Sequence, residues 1–383
     1  MTILHTSDWH LGHLLYGFSR DAEQRDMLQQ LTQIVEARKP DALLVSGDVF
    51  HTGTPSASVQ QLFVEAIVAL HNANPGMCII ITAGNHDSAS KHVVFRTPWR
   101  AMNVHTIGTF DSNNPADIII EIPDKGFVIA MPYVNERFLP ADTFANLLAA
   151  VAERNADGLP VVLMAHTAVA GCDFAGHDSV DARTVGGIDC CPLDMLGSGY
   201  DYVALGHIHK PQHVAGANGR VYYCGSPLPV SFDETAPHGV AWVSIDAHGM
   251  QPVVEPIPIS NLMPLETLPA SGAAPWDDVV QMLRDFPADR NAYIRLQVEV
   301  DNFLSPNANY EAMALLEGKK ARLCVINTVR KAVAKGEAKG LTVSQLRQES
   351  PEGLLQRFAA DKGFSLDDEL IAMFRSVLRS LNE

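Results

Sequence analysis

The chain has 383 residues, 47% of them hydrophobic and 19% charged. That composition can bury a large core without staples, which excludes wholesale disorder, a collagen-like repeat and a disulfide miniprotein. At about 150 residues per domain, two or three domains are expected. The net charge of −16 argues against a nucleic-acid binder, whose footprint should be basic, but the charge is uneven: Glu317–Arg347 holds eight Lys/Arg against two Glu.

Short β-branched runs bounded by Gly, Pro, Asp or Asn predict strands at Ile3–Asp8, Asp41–Asp48, Met77–Asn85, Asp117–Ile122, Gly126–Val134, Pro160–His166, Tyr200–His207, Val221–Gly225 and Gly239–Asp246. Helices are expected over Arg20–Ala37, Ser58–His71 and Asp142–Asn155. In the second, Val59, Leu62, Phe63, Ala66, Ile67 and Leu70 recur at helical spacing. Early βαβ alternation followed by consecutive strands points to an α/β fold of four layers, α/β/β/α, with two packed mixed sheets between helices.

After Val253, Pro256, Pro258, Pro264 and Pro269 punctuate a stretch that reads as a linker. A smaller α/β unit follows, with helix Trp276–Phe286, strand Ala292–Val300, helix Tyr310–Lys320 and strand Ala321–Thr328. A basic connector and two C-terminal helices end the chain. The first of these starts at Ser350-Pro351-Glu352 and stops at Lys362-Gly363; Ser365-Leu366-Asp367-Asp368 starts the second. The expected division is 1–260, 261–335 and 336–383. Met1–His5 carries no basic segment leading into an apolar stretch, and no apolar run approaches the ~18 residues needed to span a bilayer. The six cysteines are scattered without a CxxC pair. A cytoplasmic location with reduced thiols fits best.

Five motifs fall at the ends of expected strands: Ser7-Asp8-Trp9-His10, Gly47-Asp48-Val49-Phe50-His51, Gly84-Asn85-His86-Asp87, Ala165-His166-Thr167 and Gly206-His207-Ile208-His209. Each alone is an ordinary turn signature. Together they are not, because open α/β sheets collect ligands beyond the carboxyl ends of their strands. Asp8, His10, Asp48, Asn85, His166, His207 and His209 supply two aspartates, an amide and four imidazoles, too many for one ion. With Asp48 bridging, two ions each receive four protein ligands. Imidazole disfavours Mg²⁺ and Ca²⁺; the mixed set suits two Mn²⁺ best, then Fe²⁺ or Zn²⁺. The absence of thiolate argues against a structural zinc.

Two ions about 4 Å apart suit phosphoester hydrolysis. A departing sugar alkoxide still needs a proton, and a general acid is worth ~10²–10⁴ in rate. His86, beside ligand Asn85, is the candidate acid, with Asp87 as its orienting carboxylate. His51 is a candidate contact to substrate phosphate. Asp173, Asp178 and Asp181 read as loop carboxylates.

These motifs resemble the calcineurin-like metallophosphoesterases. Within them, Thr6–Gly12, Gly47–Phe50, Gly84–Ser88, Leu205–His209 and Tyr223–Glu234 resemble the SbcD family, nuclease subunits of the bacterial SbcCD complex. The resemblance implies one Mn²⁺ on Asp8, His10, Asp48 and His209, a second on Asp48, Asn85, His166 and His207, and catalysis by His86. It also implies a DNA exonuclease and a single-strand and hairpin endonuclease, a homodimer, and an ATPase partner, SbcC, docked on the C-terminal helices. There Leu370, Phe374, Val377, Leu378 and Leu381 form one apolar stripe, with Leu354, Leu355 and Phe358 before it. The competing expectation is a small-substrate phosphodiesterase or phosphomonoesterase of the same chemistry, which would need neither the cap nor the tail.

Overall fold

The computed structural model describes residues 1–94, 96–135, 139–175, 190–330, 350, 351, 353, 355, 356, 359, 370, 371 and 373–375. Met1–Val329 form one compact unit and Arg330–Glu383 a second. Of the second, the described residues from 351 onward are helical. The basic connector and most of the expected C-terminal helix pair lie outside the described residues.

The first unit runs β1 (Thr2–Thr6), a short hairpin of β2 (Leu14–Leu15) and β3 (Phe18–Ser19), α1 (Asp21–Arg38), β4 (Ala42–Ser46), α2 (Ala57–Ala73) and β5 (Cys78–Thr82). Two short helices follow, α3 (Ala89–Val94) and α4 (Arg96–Arg100), then β6 (Val104–Ile107), β7 (Ile119–Ile122), β8 (Gly126–Ala130), α5 (Thr143–Arg154) and β9 (Val161–His166). Next come β10 (Tyr202–Gly206), β11 (Gln212–His213), β12 (Val221–Tyr223), β13 (Gly239–Ser244), β14 (Val253–Pro258) and β15 (Leu265–Leu268). α6 (Trp276–Asp285), β16 (Tyr293–Val300), α7 (Ala308–Leu315) and β17 (Arg322–Arg330) complete it.

Two six-stranded sheets result, β14-β13-β1-β4-β5-β6 and β11-β12-β10-β9-β8-β7. Their central strands run parallel, β1 with β4, β5 and β6 in one sheet and β8 with β9, β10 and β12 in the other. Strand β4 shows how the layers form. Its side chains alternate across the sheet: Ala42 and Leu44 join the core between the two sheets, while Leu43 and Val45 face the helix side. A strand covered on both faces reads as a continuous apolar run. On the helix side lie Met27, Leu31 and Val35 of α1 and the buried stripe of α2. The Ser56 hydroxyl caps α2 by accepting the Val59 N–H at 3.3 Å. Phe144, Leu147, Leu148 and Val151 of α5 pack with the second sheet. The α/β/β/α layering is therefore present.

The structure corrects the sequence reading of the fold at β14 and at β7. The stretch holding Pro256 and Pro258 is not a linker but the edge strand β14, paired antiparallel with β13 from Gly239↔Pro258 to Ser244↔Val253. Proline is tolerated on an edge because its missing N–H is not needed by a neighbour. The expected strand Asp117–Ile122 begins as a 3-10 turn over Pro115–Ile118, and only Ile119–Ile122 is extended.

The third sheet, β15-β16-β17, has its own core. Ile294, Leu296, Val298 and Val300, one face of β16, pack with Val279 and Leu283 of α6 and Ala312 of α7. The opposite face of β16 carries Tyr293 and Arg295.

Leu44 is fully buried between the two sheets. Leu44→Ala should therefore destabilise the chain by about 2–5 kcal/mol in urea titration, the cost of lost burial plus a cavity.

Candidate metal centre

The parallel strands end on one edge, and their next residues carry the five motifs. Asp8 and His10 follow β1, Asp48 follows β4, Asn85 follows β5, His166 ends β9, and His207 and His209 follow β10. The backbone bends sharply there. Asp8, His10, Asp48 and His207 all adopt positive φ, at 52°, 44°, 49° and 93°. Such angles are uncommon for residues with a Cβ, and strain of this kind gathers at functional sites. Two glycines make the approach possible. At Gly47, with φ 86°, a Cβ would lie 2.1 Å from the His166 ring; at Gly84 it would lie 2.1 Å from Asp48 Oδ1.

All seven expected ligands come together. Asp48 Oδ2 lies 3.4 Å from His166 Nε2 and 3.8 Å from His10 Nε2. Its Oδ1 accepts the His86 backbone N–H at 2.9 Å. On one side, His10 Nε2 and His209 Nε2 are 3.2 Å apart, with Asp8 Oδ1 3.9 Å from the latter. On the other, Asn85 Oδ1 lies 3.0 Å from His166 Nε2 and 3.1 Å from His207 Nδ1. Asp8 is held by the Ser7 hydroxyl at 2.5 Å and the His207 N–H at 3.1 Å.

Outer partners orient the rings. His166 Nδ1 lies 2.8 Å from the Ser46 carbonyl and His209 Nδ1 2.9 Å from Glu234 Oε1. Each pairing turns the other ring nitrogen, Nε2, inward, as outer partners of metal-bound histidines do. The donor set fits divalent cations. Imidazole nitrogens face one another and carboxylate oxygens across 3–4 Å, an arrangement that repels itself unless protons or cations lie within it.

The titration behaviour of the metal-free site follows. Burial alone would lower His166, but Asp48 outweighs it and raises the ring to about 9. His209 likewise rises to about 9 against its burial, through Glu234. Burial and the neighbouring imidazoles drive His10 well below its ordinary value. Burial raises Asp8, with His166 and His209 opposing.

His86 faces this group, its ring 5.0 Å from that of His10. His86 Nδ1 lies 3.0 Å from the His51 carbonyl. The His51 ring stacks on His86 at 5.7 Å and meets His13 at 4.6 Å. Burial, then His86, lowers His51 to about 4. Asp87 does not orient His86. Both its oxygens accept backbone N–H groups, Phe50 at 2.9 Å, Gly84 at 2.9 Å and Val49 at 3.1 Å. His92 Nε2 stands 3.6 Å from it. Burial would raise Asp87, but His92 and these N–H groups outweigh that and its pKa falls. Asp87 thus ties the Asn85-His86 loop to the Asp48 loop. Asp173 pairs with Lys210; Asp178 and Asp181 lie outside the described residues.

Sequence reasoning assigned no role to Glu234, His13 or Ser46. Glu234 stands 25 residues beyond His209, and no spacing rule joins them; only its place in the Tyr223–Glu234 string marked it.

A metal-dependent phosphoesterase is the class that this fold and donor set define. Residues 1–211 match the calcineurin-like phosphoesterase family. The SbcD subunit of the nuclease SbcCD from Rhodobacter capsulatus is 33% identical over 92% of this chain and 93% of its own. Its namesake in Bacillus subtilis is 33% identical over 80% and 81%. A solved dimetal phosphatase from Danio rerio is 12% identical, covering 68% of this chain and 99% of its own at TM-score 0.41. The chain belongs to the calcineurin-like phosphoesterases and, within them, to the SbcD family.

Metal binding requires neutral imidazole, so it must expel the protons that His166 and His209 carry below about pH 9. Affinity for a divalent cation should rise from pH 6.5 to 9 and level off above. Calorimetry in two buffers of different ionisation enthalpy should register proton release near pH 7 that shrinks towards pH 9.5.

Proposed function

We propose that the chain is a Mn²⁺-dependent DNA nuclease that hydrolyses phosphodiesters with two metal ions. The observation that carries the reading is the placement of Asp48 Oδ2 between His166 at 3.4 Å and His10 at 3.8 Å, one carboxylate serving two clusters of donors. Asp8, His10, Asp48 and His209 would hold one ion; Asp48, Asn85, His166 and His207 would hold the other. When bound, such ions lower the pKa of water and neutralise charge on the phosphoryl oxygens.

The chain's own residues supply the rest. His86 is the general acid. Its Nδ1, facing the His51 carbonyl, leaves Nε2 as the atom that delivers a proton to the departing sugar oxygen. His51, stacked on that ring, contacts the substrate phosphate. Asp87 acts through the backbone, keeping the loop of His86 and Asn85 in register with Asp48. Seven donors from two sheets leave little freedom to drift, the condition for catalysis by positioning.

The same reading assigns residues 1–260 to hydrolysis, 261–335 to a cap, and 336–383 to a partner. The partner is an SbcC-type ATPase, in a complex with two copies of this chain, acting in the cytoplasm on DNA ends, hairpins and single strands. The nuclease name and the complex in the relatives' designations support it.

The test is cleavage of single-stranded DNA, a DNA hairpin, duplex ends and bis-p-nitrophenyl phosphate with Mn²⁺, with and without the ATPase and ATP. His86→Ala should cut DNA turnover about 10²–10⁴-fold and keep both ions on metal analysis. Asp48→Asn should lose metal as well as turnover. Hydrolysis of the small ester with no DNA cleaved under any condition would overturn the nuclease reading in favour of a small-substrate phosphodiesterase.

A further inference from the structure

The segment Pro229–Glu234 joins the metal centre to the three-stranded sheet. At one end Glu234 holds His209 through Oε1 at 2.9 Å. Its Oε2 accepts the Val230 N–H at 3.1 Å and the Ser226 hydroxyl at 3.3 Å, so the carboxylate is fixed by its own loop. The loop in turn is held from β16. Arg295 donates through one terminal nitrogen to Asp233 Oδ1 at 2.6 Å and through the other to the Phe232 carbonyl at 3.2 Å. Its Nε donates to Thr267 of β15 at 3.1 Å, and its guanidinium lies over the Phe232 ring at 5.2 Å. All three of its nitrogens donate, which fixes the loop against the strand.

A second contact repeats the arrangement. Tyr293, two residues before Arg295 and on the same face of β16, donates its hydroxyl to Glu23 Oε1 at 2.8 Å. Glu23 lies 3.7 Å from the buried Arg20, whose guanidinium donates to the Pro229 carbonyl at 2.5 Å. The segment is thus gripped at Pro229 and at Phe232-Asp233, immediately before the carboxylate that aims His209.

We infer that Arg295 is a positioning residue for the metal centre: through Phe232, Asp233 and Glu234 it sets the His209 ring, and so couples the place of the small sheet to the affinity of one metal site. The inference rests on the two-metal reading above. Coupling of this kind is reciprocal. A ligand or partner that shifts β16 changes the His209 site, and metal at His209 steadies the small sheet.

The experiment measures Mn²⁺ binding to the full chain by titration followed by electron paramagnetic resonance, with thermal unfolding alongside. Wild type should take up two ions; uptake of none would overturn the metal-centre reading itself, apart from this inference. Glu234→Gln should weaken one ion about 10–100-fold and spare the other. Arg295→Ala, acting at one remove, should weaken the same ion by about threefold to tenfold. The double variant should be no weaker than Glu234→Gln alone, because both act on one path. Asp233→Ala, at a carboxylate whose side chain is 51% exposed, should weaken that same ion and carries the test if Arg295→Ala unfolds. Unchanged affinity for both ions in Arg295→Ala or Asp233→Ala, equal weakening of both ions, or losses that multiply in the double variant would overturn the inference.

Discussion

Asp48 must keep its two oxygens in different company, and much of the structure is arranged around that requirement. One oxygen takes a backbone N–H from the His86 loop; the other points between imidazoles from two sheets. Meeting both demands puts Asp48 at positive φ and leaves no room for a side chain at position 84. It also requires that strands β1, β4 and β5 of one sheet end beside β9 and β10 of the other. The buried core between the sheets fixes that alignment. A polar thread crosses it just below the site: the Tyr202 hydroxyl lies 2.8 Å from His5 Nδ1, and the Ser46 hydroxyl 3.3 Å from His5 Nε2. Ser46 in turn offers its carbonyl to His166. Burial holds His5 down to about 3, so the thread is neutral at ordinary pH.

The site is built in tiers that differ in chemistry. Innermost are neutral and anionic lone pairs, which need a cation. Around them stand groups that take the opposite nitrogen of a ring, the Ser46 carbonyl and the Glu234 carboxylate. Beyond these, Asp87 holds the backbone beside Asp48 and Asn85, and Arg295 holds the backbone that presents Glu234. Loss at the inner tier removes the ions, whereas loss at the outer one loosens them.

The inner tier was legible in the sequence because each ligand sits at or just past the end of a strand, where short-range pattern and chemistry coincide. Gly47 and Gly84 announced the turns, and the apolar runs of β4 and β9 announced buried strands. Asp87 misled for a local reason: neighbours along a bent chain point in different directions, and adjacency to His86 says nothing of contact. Glu234 was silent because the chain leaves the site after His209, forms strand β12, and returns. Pro256 and Pro258 suggested a linker because proline statistics do not separate a loop from the outermost strand of a sheet.

That outermost strand has a further consequence. The Ile259 N–H bonds inward to His238, so the alternating backbone turns the nitrogens of residues 254, 256 and 258 outward. Two of those three are prolines, and the β14 edge of the first sheet is thereby stripped of most of its outward hydrogen-bond donors. An unpaired strand from another molecule finds no ladder to climb there. The same prolines therefore guard the β14 edge against growth of the sheet by pairing with another chain.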